Sequence, residues 1–108
     1  MKNINDILKK AKELQEKIEK IQEELEHLEV TGEAGGMVKA IVNGKLDILS
    51  IEISKEIFGS IEKELLEDMI VAAIKDAQGK VKVIAKEKMA QVGIVNGIPG
   101  IDFPNGIN

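Results

Sequence analysis

The N-terminal part of the chain carries apolar residues at strict steps of three and four, which is the a/d spacing of a heptad helix. Asn3 is placed to cap the first turn, and Asp6 follows three residues later. The apolar seam consists of Ile4, Ile7, Ala11, Leu14, Ile18, Ile21, Leu25 and Leu28. At 1.5 Å per residue this helix spans roughly 37 Å, whereas a globular chain of this length has a radius of gyration near ~13 Å. The helix therefore extends beyond any core that one chain can build, and its seam needs a second helix from the same chain or from another copy.

Apolar and polar residues then alternate, which is the pattern of β-strands. The segments "EVTGEA" and "MVKAIVN" are predicted to be strands joined by a turn at Gly35-Gly36, and Asn43-Gly44 is a dipeptide that type I′ turns prefer. The alternation changes phase within "KLDILSIEIS", which predicts a β-bulge or a strand buried on both faces. The central section is therefore predicted to be a three-stranded antiparallel β-meander.

A second helical stripe is predicted from Ser60 to about residue 92. Ser60 is expected to cap this helix, with Glu62 and Glu64 in its first turn. Gly79 costs about 1 kcal/mol relative to Ala in a helix interior, so the sequence allows a kink or a break there. We predict an α+β fold with a long N-terminal helix, the antiparallel meander and a long C-terminal helix.

The remaining segment is rich in Gly, Pro and Asn, which predicts a tail whose order is weak or depends on a partner. The chain is therefore divided into one helix–sheet–helix domain over residues 1–92 and a tail over residues 93–108. No apolar run approaches the ~20 residues that cross a bilayer, and the N-terminus has no signal-peptide pattern. We expect a cytoplasmic protein with no membrane partner.

The sequence offers no catalytic chemistry. The two Gly-Lys pairs, at Gly44 and Gly79, lack both the first glycine and the Ser/Thr of a phosphate-binding P-loop. His27 is the only histidine and cysteines are absent, so histidine clusters and thiolate metal sites are excluded. We therefore expect no catalytic residue, no metal, no cofactor and no small-molecule substrate, and we predict that the protein is not an enzyme.

Charge is strongly segregated along the chain despite a net charge of −4. Residues 1–20 contain six lysines against four acids, whereas residues 21–33 contain five acids and no lysine. A second basic run follows late in the C-terminal helix. These lysines form either a solvated surface or a phosphate-binding surface. Because arginine is absent and aromatic residues are few, binding to DNA would be led by phosphate contacts and would be sensitive to salt.

The order of these segments resembles the YbaB/EbfC family of small bacterial nucleoid-associated proteins. The resemblance covers about residues 5–92 and is carried mainly by "VTGEAGGMVKAIVNG" and "LEDMIVAAIKDA". It implies a tweezer-like homodimer whose helical arms bind DNA with little sequence demand, and it implies a location at the nucleoid.

From the seam and this resemblance we predict a homodimer that binds double-stranded DNA through lysine-bearing helical arms. The DNA-binding residues would be Lys9, Lys10, Lys12, Lys17, Lys20, Lys80, Lys82, Lys86 and Lys88, and the dimer interface would be Ile7, Ala11, Leu14, Ile18, Ile21 and Leu25. The alternative is a protein-binding adaptor or chaperone-like clamp that uses the acidic helix ends and the apolar residues of the tail, Ile94, Ile98, Ile101 and Phe103.

Overall fold

The computed structural model describes residues 3–93 and has the predicted α+β architecture. Helix α1 (Ile4–His27) is followed by strands β1 (Glu29–Ala34), β2 (Val38–Asn43) and β3 (Ile48–Ile53), and then by helix α2 (Lys63–Gln91). The strands form one antiparallel sheet in the order β1-β2-β3. All but the first residue of the predicted tail lies outside the described residues.

Helix α1 starts where the sequence predicts, because the Asn3 side chain accepts a hydrogen bond from the Asp6 N–H at 2.9 Å. Every residue from 3 to 17 is exposed, and the helix reaches the core only in its second half. There Ile21 and Leu25 pack against Ala85 and Met89 of α2. The described chain is accordingly elongated, with extents of 71 × 25 × 17 Å and a radius of gyration of 18.7 Å.

Helix α2 covers one face of the sheet and forms the main core. Val38, Ala40 and Val42 of β2 point toward α2 and are fully buried. The buried α2 residues that oppose the sheet are Ala73, Ala77 and Val81. Gly32 of β1 permits this close packing, because a Cβ there would meet backbone atoms of Ala73 and Ala77. The small side chains of α2 and Gly32 together let helix and sheet approach closely.

The first hairpin turn follows the sequence prediction and the second does not. Gly35 and Gly36 have φ values of 59° and 70°, the positive pair that a type I′ turn requires. The type I′ turn predicted at Asn43-Gly44 is wrong, because the positive φ falls at Leu46 (71°) in a three-residue loop. The Asn43 side chain accepts hydrogen bonds from the N–H groups of Lys45 and Asp47 and shapes this loop. The bulge prediction is confirmed, since the β2–β3 register shifts next to Val42.

Helix α2 runs without interruption through Gly79, so the break that the sequence allowed does not occur. Gly79 faces open space, with nothing within 4 Å of a Cβ built there. The predicted cap at Ser60 is also wrong. The N-cap position is Glu62, which makes no side-chain capping bond, while the Ser60 hydroxyl lies 3.0 Å from the carbonyl oxygen of Glu56 in the preceding turn.

Candidate nucleic-acid interface

The exposed half of α1, residues 4–17, is called here the arm. It projects roughly 21 Å at 1.5 Å per residue. The predicted lysines on α1 are Lys9, Lys10, Lys12, Lys17 and Lys20, and all five are exposed. In the heptad of the seam, Lys9, Lys12 and Lys20 occupy the outer positions f, b and c, whereas Lys10 and Lys17 occupy g positions beside the seam. The outer face of α1 therefore presents lysines along the arm and just beyond it.

The lysines of α1 form no ion pair with an acidic side chain of the described chain. Across residues 3–93, ion pairs within 4 Å join Lys45 to Glu26, Lys80 to Asp76, and Lys88 to Glu24. None of these pairs involves a lysine of α1. These ammonium groups are available to an external anion without first breaking a bond inside the chain.

The predicted lysines on α2 divide into two kinds. Lys80 and Lys88 hold acids of the same chain, at 3.1 and 3.2 Å respectively. Lys80 also donates to the carbonyl oxygen of Thr31 at 3.2 Å. Lys86 is exposed and Lys82 half-buried, and neither forms an ion pair among the described residues. Of the four predicted α2 lysines, Lys82 and Lys86 are therefore the two that no acid of the described chain holds.

In the described part of the chain, Asp76 is the titratable group whose pKa departs most clearly from its ordinary value. Its carboxylate accepts a hydrogen bond from the Glu33 N–H at 3.0 Å and lies 3.1 Å from Lys80 Nζ. The backbone hydrogen bond, followed by the hydrogen bond from Lys80, holds the pKa of Asp76 below its ordinary value. Asp76 is therefore ionised at neutral pH and keeps Lys80 at the edge of β1.

The acidic end of α1 is attached to the rest of the chain. Glu24 pairs with Lys88 of α2, and Glu26 pairs with Lys45 of the β2–β3 loop. In the same loop the Gly44 N–H donates to the Leu25 carbonyl oxygen at 2.8 Å. Gly44 therefore joins the end of α1 to the β2–β3 loop, and the sequence did not predict this contact. An Asn-Gly pair is a strong local turn signal and gives no information about a contact with a distant helix.

The predicted dimer interface is only partly accessible in the single chain. Ile7 and Leu14 keep 56% and 40% of their surface exposed, Ala11 is exposed and Ile18 is half-buried. Ile21 and Leu25 are instead buried against α2 of the same chain. The second half of the seam is therefore packed inside the chain, whereas its first half is exposed in the described chain.

Within residues 3–93 no three His, Cys, Asp or Glu side chains come together as a possible metal site. No helix in this range is both long and apolar enough to span a bilayer. His27 lies exposed at the end of α1, where the heptad places it outside the seam.

Comparison with known proteins agrees with the fold and with the sequence resemblance. The family model described as the YbaB/EbfC DNA-binding family matches residues 1–95. A protein of Hahella chejuensis (strain KCTC 2396) described as a nucleoid-associated protein is 41% identical over 98 residues, which cover 90% of each chain. The crystal structure of the uncharacterized protein HP0035 from Helicobacter pylori superposes with a TM-score of 0.75 at 16% identity, covering 87% of this chain and 100% of that one. This structural likeness concerns the fold alone.

Proposed function

The chain belongs to the YbaB/EbfC DNA-binding family, and on this premise we propose that it binds double-stranded DNA as a homodimer through the lysines of α1. The binding has little sequence preference and places the protein at the nucleoid. The observation that carries the proposal is the set of exposed α1 lysines without an ion-pair partner in the described chain.

The chemistry of these lysines suits the DNA backbone rather than the bases. A lysine ammonium on a flexible stem contacts a phosphate as a point charge and has no planar, bidentate geometry for a base edge. The outer-face lysines Lys9, Lys12 and Lys20 span about 16 Å along the helix axis at 1.5 Å per residue. Such contacts fix the protein on the duplex and carry little sequence information.

The exposed seam of the arm supports the homodimer. Ile7, Ala11 and Leu14 form an apolar row on the arm, where every residue is exposed in the described chain. A second copy of the arm offers the same heptad spacing and would bury both rows at once. The g-position lysines beside the seam would border that contact, while the outer-face lysines would stay open to DNA.

The first test is fluorescence anisotropy of a labelled random-sequence duplex. If each protomer uses three lysines, a dimer neutralises about six phosphates, and the slope of log K against log salt is about −5. Affinity should then fall roughly 10³-fold between about 50 and about 200 mM salt. An absence of binding at the lower salt concentration would contradict the proposal.

Two triple variants of equal net charge separate the arm surface from charge in general. Replacing Lys9, Lys12 and Lys20 by Gln should remove most of the binding and flatten the salt slope. The matched control replaces Lys55, Lys63 and Lys75, which are exposed on other elements, and should bind nearly as well as the wild type. Equal losses in the two triple variants would show that binding does not depend on the arm.

A further inference from the structure

Asn43 and Gly44 form an Asn-Gly pair, the dipeptide in which asparagine converts most easily to a succinimide. In that reaction the glycine backbone nitrogen loses its proton and attacks Cγ of the asparagine side chain. A C–N bond forms, and the side-chain amide nitrogen leaves as ammonia. Water then opens the ring at either carbonyl and yields aspartate or, mainly, isoaspartate. Glycine favours the attack because it has no Cβ and rotates freely.

The nucleophile of this reaction, the Gly44 backbone nitrogen, is held by α1. Its N–H donates to the Leu25 carbonyl oxygen at 2.8 Å, and Gly44 is buried. A Cβ built at Gly44 would lie 2.7 Å from Leu25 Cα, so the helix backbone rests directly on this residue. While α1 stays in this position, the Gly44 nitrogen neither loses its proton to solvent nor turns toward the Asn43 side chain.

The group that is attacked, the Asn43 side chain, is held by its own loop. Its Oδ1 accepts from the N–H groups of Lys45 and Asp47 at 2.9 and 3.0 Å, and its Nδ2 donates to Asp47 Oδ2 at 3.3 Å. Asn43 ends strand β2, and its own N–H donates to the Asp47 carbonyl oxygen at 3.0 Å. Ring closure requires the Asn43 backbone to rotate out of the extended conformation of a strand, and these four hydrogen bonds oppose that rotation.

The geometry points to Asn43 as a site of spontaneous deamidation that is controlled by the docking of α1. The base of α1, residues 24–27, has to leave the β2–β3 loop before the Gly44 nitrogen is free. The rate of deamidation therefore follows the fraction of molecules in which this junction is open.

The junction opens separately from the main core. Leu25 packs with Ala85 and Met89 in a cluster distinct from the two clusters between α2 and the sheet. The ion pairs from Glu24 and Glu26 to α2 and to the loop are exposed, and exposed pairs are weak and are screened by salt. Opening of the base of α1 thus leaves the sheet and its contact with α2 in place.

The products of deamidation do not restore the junction. Isoaspartate leads the main chain through the former side chain, which adds a CH2 group to the backbone and displaces the Oδ1 acceptor. Either product is also a carboxylate beside Asp47, whose Oδ2 accepts from the amide of the unmodified residue, and two like charges this close repel each other. If the lysines of α1 bind DNA, the modified chain carries them on a helix without a fixed base. Only this last consequence rests on the proposed function.

The test follows deamidation of the full chain during incubation at mildly alkaline pH. Trypsin cleaves after Lys39 and Lys45, so Asn43 lies in the peptide of residues 40–45, whereas the Asn-Gly pairs at Asn96 and Asn105 fall in the peptide of residues 89–108. Mass spectrometry of the first peptide therefore measures Asn43 alone, and synthetic peptides with aspartate or isoaspartate identify its products. The reference rate is that of the same chain unfolded in guanidinium chloride.

Two double variants of equal net charge test the role of α1. Glu24→Gln with Glu26→Gln removes both ion pairs at the base of α1. The matched control, Glu13→Gln with Glu16→Gln, makes the same change on the exposed arm, where neither acid forms an ion pair within residues 3–93. Circular dichroism verifies folding, and Lys88→Gln, which removes one pair, replaces the first variant if that variant does not fold. Exchange of the Gly44 amide proton reports the opening of the junction directly.

We expect Asn43 in the folded wild type to deamidate at least about 30-fold more slowly than in the unfolded chain, because the open junction is a minority state. The variant at Glu24 and Glu26 should react about 3- to 10-fold faster than the wild type, with Gly44 exchange raised by the same factor. The control variant should match the wild type in both rates. Asn43→Asp, which is one of the two products, should exchange the Gly44 amide proton faster than the wild type.

Equal rates at Asn43 in the folded and the unfolded chain would overturn the proposal. A variant at Glu24 and Glu26 that reacts no faster than its control would also overturn it, as would a faster reaction without faster Gly44 exchange. None of these rates involves DNA. A protein that fails to bind DNA would therefore refute the proposed function and leave the deamidation result standing.

Discussion

Replacing Gly44 by Ala should displace the base of α1 from the β2–β3 loop. A Cβ at Gly44 would meet the Leu25 carbonyl oxygen and lie 2.7 Å from Leu25 Cα. These are backbone atoms, which cannot rotate aside, so the last turn of α1 has to move by about 1 Å to restore ordinary carbon contacts. Gly44 does not have a positive φ, and Ala therefore adds steric overlap without backbone strain.

The expected loss of stability has two parts. Overpacking at a site that cannot easily relax costs about 1–3 kcal/mol. Weakening of the hydrogen bond between the Gly44 N–H and the Leu25 carbonyl, 2.8 Å long in the native chain, adds about 1 kcal/mol. For a domain of about 100 residues, a loss of about 2 kcal/mol lowers the melting temperature by roughly 10 °C.

Urea unfolding followed by far-UV circular dichroism measures this effect, and Gly79→Ala is the matched control. Both changes restrict the unfolded chain alike, but nothing lies within 4 Å of a Cβ at Gly79. Gly79→Ala should therefore stabilise the protein by about 0.5–1 kcal/mol. If Gly44→Ala proves as stable as Gly79→Ala, the close approach of α1 to the loop is not a constraint on the fold.

Two further predictions concern the β1 edge and the seam. The Glu33 N–H and Lys80 hold the pKa of Asp76 below its ordinary value of 3.8. The ionised Asp76 carboxylate therefore stabilises the folded state fully above about pH 4, and this stabilisation is lost as the pH falls through the lower pKa of the folded state. The free energy of unfolding of Asp76→Asn, measured in urea at several acidic pH values, should thus decline less than that of the wild type below about pH 4. Leu25→Ala, within the buried cluster, should cost about 2–5 kcal/mol. In dilute protein Leu14→Ala, on the exposed arm, should change stability by about 0.5 kcal/mol or less, and equal losses would show that the arm is packed inside one chain.

The elements could be predicted from the sequence because their signals are local. The seam of α1 and the alternation of β1 and β2 are periodicities that any segment carries by itself. The turn at Gly35-Gly36 is also predicted correctly, since both positions have a positive φ, which glycine adopts without steric cost. At Asn43-Gly44 the same reasoning failed, because the glycine is required there by the approach of Leu25 from a different element.

Helix α2 shows how tertiary packing overrides local preference. Gly79 lowers helix propensity in mid-helix, yet the residues around it are held by the sheet through Ala73, Ala77 and Val81. That packing outweighs a local cost of about 1 kcal/mol. Packing also sets the start of α2. Ile57 is buried in the preceding loop, and the Ser60 hydroxyl bonds within that loop instead of capping the helix, so α2 begins only at Lys63.

The candidate interface was the least predictable feature, because sequence shows where lysines are but not which of them are paired. Lys80 and Lys88 belong to the same basic run as Lys82 and Lys86, and only the fold brings acids next to the first two. Ion pairs at a protein surface contribute little to stability. Their effect here is to leave a smaller set of lysines with charge available to DNA.

The charge order of α1 leads to a last prediction about the arm. Lysines near a helix N-terminus oppose the helix dipole, as do acids near its C-terminus. The acidic end is offset by Lys45 and Lys88, but no acid within the described chain pairs with the lysines of α1. Phosphates of bound DNA would offset the basic end, so amide exchange over residues 4–17 should slow when duplex DNA is added, while exchange in the buried part of α2 stays constant. Unchanged exchange in the arm at saturating DNA would show that the duplex contacts another surface.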